Sequence, residues 1–161
     1  MRVKAIFDED FVNYKKTSMF IGTSFCSGKC WREIGCSETI CQNNELHFMP
    51  IIDVPDKNIC KRFMGNPLTS AIVIGGLEPF DQFDELLSLI RTLREDFYSN
   101  ADVVIYTGYY REELRDQLAF LIQYPNIIVK FGRFIPDRPS RFDDVLGVEL
   151  YSDNQYAEKI S

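Results

Sequence analysis

The sequence has no uninterrupted apolar run near the roughly 20 residues that a membrane-spanning helix needs, so no membrane partner is expected. It also lacks any dense run of lysine or arginine, and its net charge is -6. A chain that grips phosphate backbones shows a basic face, so nucleic acid is not expected as a partner either. Local pairs such as Lys15-Lys16 and Lys61-Arg62 read as solvated surface. No internal repeat and no low-complexity tract is visible. The start "MRVKAIFDEDF" is not expected to be a signal peptide either, because its basic residues meet Asp8, Glu9 and Asp10 too soon. The expected location is the cytoplasm, where thiols stay reduced and disulfides are disfavoured.

What is present fits one globular domain over residues 1–161, with 45% hydrophobic and 26% charged residues. The unusual stretch is "SFCSGKCWREIGCSETICQNN", residues 24–44, which holds Cys26, Cys30, Cys36 and Cys41, four of the five cysteines. Cysteine usually hides in cores as a small hydrophobe. Here its neighbours are Ser27, Gly28, Lys29, Arg32, Glu33 and Gln42, which are not core residues. A disulfide knot, a zinc site and an iron–sulfur cluster all compete to explain it.

Apolar runs rich in Val and Ile predict strands over residues 18–25, 70–77, 101–109, 126–134 and 145–153. Their near-continuous character suits strands covered on both faces, as in a parallel sheet. Between them, residues 82–97 place Phe83, Leu86, Leu87, Ile90, Leu93 and Phe97 on one helical face, with Asp81 as the expected N-cap. Residues 111–123 repeat the pattern, and 56–67 predict a shorter helix that buries Cys60. Alternating strands and helices of this length argue for βα units. The cysteines, "GGLEP", "TGY", "KFGRFIPD" and "SDNQ" each follow a strand, which is the edge where such folds keep their sites. In "GGLEP", the glycine pair allows close approach to bare backbone groups, and Glu78 can accept hydrogen bonds from an ammonium group.

Taken with the cysteines, these segments resemble the small radical S-adenosylmethionine (SAM) enzymes. More narrowly, the chain is similar to the activating enzymes of glycyl-radical enzymes, above all the anaerobic ribonucleotide reductase activase. "VNYKKTSMFIGTSFC", "GGLEPF", "YTGY", "VKFGRFIPD" and "SDNQ" carry the resemblance, which covers nearly the whole chain. It implies a compact, incomplete (open) radical-SAM βα barrel of the α/β class, with about five mostly parallel strands. It also implies a 4Fe-4S cluster on three cysteine thiolates, with SAM chelating the open iron and being cleaved reductively to a 5′-deoxyadenosyl radical. The hydrogen donor would be a glycine of a larger glycyl-radical partner, and the electron donor flavodoxin or ferredoxin.

The family spacing is CxxxCxxC, and this chain departs from it. Cys26 and Cys30 supply the first pair, but the third position is Glu33, a hard carboxylate ill suited to iron. Cys41, followed by Gln42 and Asn43 in the family manner, is the expected third ligand, with Cys36 as the alternative. Residues 31–40 then form an insertion, in which Trp31 either shields the cluster or simply packs. By the same resemblance, Gly75, Gly76 and Glu78 would hold the methionine end of SAM, and Thr107, Gly108, Tyr109 and Asn154 would lie near the same ligand. Three rivals stand beside this reading. A radical SAM enzyme acting on a small molecule is one, and a remnant that binds the cluster without turnover is another. The third is a structural or regulatory zinc domain using three cysteines and the single histidine, His47.

Overall fold

A computed structural model describes all residues 1–161. Its centre is a mixed seven-stranded sheet of order β3-β1-β2-β4-β5-β6-β9. Strands β2 (Ser18–Thr23), β4 (Ala71–Gly75), β5 (Asp102–Tyr106) and β6 (Ile127–Phe131) run parallel in register. The edges are antiparallel: β1 (Arg2–Asp10) and β3 (Ile52–Asp53) on one side, β9 (Tyr156–Lys159) on the other. The sheet is open, since β3 and β9 are not joined to each other. No helix is long and apolar enough to cross a membrane.

The expected strand over 145–153 is corrected. Its apolar run breaks at Gly147, whose φ of 72° turns the chain. The run becomes half of a separate hairpin, β7 (Arg141–Asp143) with β8 (Val148–Leu150), while β9 takes the place beside β6. Asp143 sits buried at the hairpin's root, where its carboxylate accepts from the backbone N–H groups of Leu146 and Ala157.

Strand residues alternate between two faces. One set, including Ile72, Ile74, Val103, Ile105, Val129 and Phe131, lies in a cluster of 22 buried residues. Its cover is α3 (Asp56–Met64), α4 (Phe83–Arg91) and α5 (Arg115–Leu121), whose Ile59, Cys60, Leu86, Leu89, Ile90, Leu118 and Leu121 complete the core. Helix α4 runs on through one π turn, Thr92–Asp96, in which buried Arg94 donates to three carbonyls, those of Ser99, Ala101 and Pro125. The opposite set, Ala71, Val73, Val104 and Ile128, is covered by Tyr14 and by Val145, Leu146, Val148 and Leu150 of the hairpin region. That cover reaches only part of the bare face, and a cavity occupies the carboxyl end.

Candidate cluster and cofactor site

The cavity has a volume of about 400 Å³ and is walled by the segments that follow β2, β4, β5 and β6. From the first come Cys26, Cys30, Trp31 and Cys41. The second supplies Gly76, Leu77 and Glu78, the third Thr107 and Gly108, and β6 with its continuation Lys130 and Gly132. Phe134, Tyr151 and Gln155 also line it, as do Val12 and Phe20 and the hairpin residues 148–150.

Cys26 and Cys30 sit on either side of a left-handed turn at Gly28, whose N–H points at Cys26 Sγ over 3.3 Å. Any Cβ at Gly28 would run into the Trp31 ring, so Trp31 closes over this turn. Cys30 belongs to the one-turn helix α1 (Lys29–Glu33). Its sulfur fills the place a side chain at Gly108 would take: a Cβ there would collide with it. Burial pushes the Cys26 thiol up to about 12 and the Cys30 thiol up to about 11. Glu78 adds to both shifts, and the positive charges of Arg133 and Lys130 oppose it at Cys30. Both thiols hold their protons at neutral pH, so a metal has to displace them.

Cys41 lines the same cavity. Cys36 does not line it. Cys36 is exposed, with its thiol turned to the carbonyl of Ile34. Glu33, at the position where a CxxxCxxC pattern needs its last thiolate, is tied to Arg133: Nε lies 2.6 Å from one carboxylate oxygen and Nη2 2.9 Å from the other. No three Cys, His, Asp or Glu side chains are drawn together closely enough to hold a metal ion by themselves. His47, on α2 (Asn44–Phe48), does not line the cavity, and its Nε2 is buried without a partner. The donor set suits a soft, anionic cluster: three thiols line one cavity, two cations lie near Cys30, and a glycine makes room for its sulfur.

Glu78 is 6% exposed and accepts three hydrogen bonds, from Thr107 Oγ1 at 2.7 Å, Gly108 N at 2.9 Å and Phe80 N at 3.2 Å. Desolvation nevertheless pushes its carboxyl up to about 7. Gly76 beside it has a φ of 80°, which only glycine adopts without strain, and a Cβ there would strike Leu46. Tyr109 borders Cys26 and Cys30 and donates through its hydroxyl to Asp81 over 2.6 Å. Asp81, expected as a helix cap, instead accepts from Ser27 N at 2.6 Å and so joins the β4 loop to the cysteine loop. Gly75 and Asn154 do not line the cavity. Gly75 ends β4 against Tyr106, and the Asn154 amide donates to the Arg133 carbonyl at 2.8 Å.

Lys130 and Gln155 line the cavity with no role assigned to them from the sequence. Lys130, 6% exposed, donates to the Gly132 carbonyl at 2.9 Å, and burial lowers its ammonium to about 8. The signal was there: one lysine interrupting "IIVKF" on the alternation of Ile128. Gln155, neighbour of Asn154, donates to the same Gly132 carbonyl.

A family model described as "4Fe-4S single cluster domain" matches residues 17–151. No curated protein and no solved structure gives a significant match.

Proposed function

The chain belongs to the 4Fe-4S single cluster domain family, and from that premise we propose that it is a radical SAM protein of the glycyl-radical-activating kind. The observation that carries the reading is the meeting of cysteine thiols and a buried, partly unsaturated carboxylate in one cavity. Cys26, Cys30 and Cys41 hold the cluster. Held there, the cluster would supply the one-electron chemistry of reductive SAM cleavage, directed at a glycine of a larger partner protein.

The chain's own residues bind and orient. Glu78 Oε2 takes one donor, the Gly108 N–H, and keeps a lone pair free for the ammonium of the methionine end. Gly76 and Gly108 line the cavity, where a side chain would strike Leu46 or the Cys30 sulfur. Lys130, across from Glu78, presents a positive charge to the carboxylate, so the two side chains set the direction of the amino acid group. A volume of about 400 Å³ falls within the range of small-molecule sites, roughly 300–1,000 Å³. The bare face of the sheet is read as the inner face of an open, incomplete barrel. Val12 and Tyr151 stand exposed at the cavity, apolar surface of the kind a docking protein covers. Flavodoxin or ferredoxin in a reducing cytoplasm would supply the electron.

The test is anaerobic iron–sulfide reconstitution followed by reduction with and without SAM. A cluster EPR signal that changes with SAM, with release of 5′-deoxyadenosine, is the expected result. A cluster whose signal ignores SAM overturns the SAM reading and leaves the family assignment standing.

A further inference from the structure

We propose that Arg133, acting through Glu33 and Glu113, is a positioning residue that seats Cys30 over Gly108 before any metal arrives. The proposal rests on the reading of Cys30 as a cluster ligand, but not on SAM.

Helix α1 carries Cys30, and none of its residues is fully buried; Cys30 and Trp31 are only half-buried, so apolar packing anchors it weakly. A five-residue helix is not stable alone. What holds it is charge at both ends. Lys29, one residue before the cysteine, pairs with Glu113, and Glu33, three residues after it, pairs with Arg133. Glu113 and Arg133 are themselves joined by a two-pronged ion pair, with both contacts at 2.8 Å. Arg133 is the hub. Its side chain is 4% exposed, and besides the two carboxylates it donates to the Gly108 carbonyl at 3.2 Å. One guanidinium thus holds both the helix that bears the thiol and the glycine that makes room for it.

Exposed ion pairs contribute little, because water screens them and their side chains are free to move. Arg133 differs, since its side chain is buried and its fork is geometrically fixed on Glu113, so it meets Glu33 from a set position. The Gly108 seat tolerates little displacement, as the collision with a Cβ there indicates. Position 33 then has its own task in this chain, and the third thiolate comes from beyond the insertion.

The experiment follows backbone hydrogen exchange of residues 29–34 in the full-length apo chain, by mass spectrometry. Glu33→Gln, at a half-exposed position, is expected to speed exchange of this segment on the order of tenfold while leaving α4 unchanged. Arg133→Lys keeps the charge and loses the fork, so it should fall between wild type and Glu33→Gln. After iron–sulfide reconstitution, the Glu33→Gln cluster should show a broadened EPR signal at lower iron occupancy, and Glu33→Asp should recover part of both. Unchanged exchange in Glu33→Gln, or an Asp variant no better than Gln, overturns the proposal. If Cys30→Ser still assembles the cluster, the ligand reading has failed instead, and the exchange result still reports on the clamp.

Discussion

The two faces of this sheet are built from alternate residues of the same strands, and they have opposite characters. Under the helices, Ile72, Ile74, Val103, Ile105, Val129 and Phe131 belong to a core of 22 buried residues. On the other face, the same strands carry Ala71, Val73, Val104 and Ile128 in a cluster of only 8, then change to Gly75, Tyr106 and Lys130 toward the carboxyl end. Burial on the first face stabilises the fold. Incomplete cover on the second leaves room for a ligand, and the cost appears as a carboxylate and a lysine held away from water. Stability and site are thus separated by strand alternation and not by distance along the chain.

The strongest challenge to this division uses the cysteines. Cys30→Ala and Cys41→Ala, on the cavity side, should each abolish the iron–sulfur absorbance and EPR signal after reconstitution. Cys60→Ala, on the helix side, should keep both and cost stability alone. Equal iron content in Cys30→Ala and Cys60→Ala would break the comparison.

A second contrast compares packing. Leu89→Ala in α4 should destabilise the chain by about 3–5 kcal/mol, and Leu150→Ala in the hairpin by nearer 2 kcal/mol, as thin cover can relax into the neighbouring space. Urea unfolding of the apo chain reads both, and a larger loss at Leu150 would reverse the assignment of the two faces.

A third concerns pH. The folded Glu78 carboxyl sits at about 7, above its ordinary range, so between that range and about 7 the folded chain keeps a proton that the unfolded chain has released. Apo stability should therefore fall as pH rises through this window. Glu78→Gln should flatten the dependence, as followed by urea midpoints across the pH series.

The smallest effect belongs to Cys36. Because its thiol is exposed and turned to a local carbonyl, Cys36→Ala should change stability by no more than about 0.5 kcal/mol and leave iron content at the wild-type level. Loss of the cluster in that variant would make Cys36 the third ligand.

The apolar strands β2, β4, β5 and β6 were legible because burial on both faces leaves unbroken runs such as "AIVIG". Cys26, Cys30 and Glu78 were legible because unusual residues collected behind those runs. The antiparallel strands were not. β1 ends in Asp8-Glu9-Asp10 and β9 reads "YAEK", and neither needs an apolar run when one side meets water. The run in "VLGVEL" misled because Gly147 bends it into a hairpin. Asp81 looked like a helix cap by its position, yet its partners, Ser27 and Tyr109, lie on other loops that no local pattern connects. Glu33 was legible as a departure from the family spacing, but its pairing with Arg133 needed the fold.

The seat of Cys30 also imposes a chronology. The cysteine loop leaves the ribosome early, while Gly108, which makes room for its sulfur, and Arg133, which holds both, are synthesised much later. Until β5 and β6 have emerged and joined β4, the thiol has nowhere to rest. Metal loading into this arrangement would therefore wait for β5 and β6 to be made, and a nascent chain truncated before β5 would offer a carrier only loose thiols.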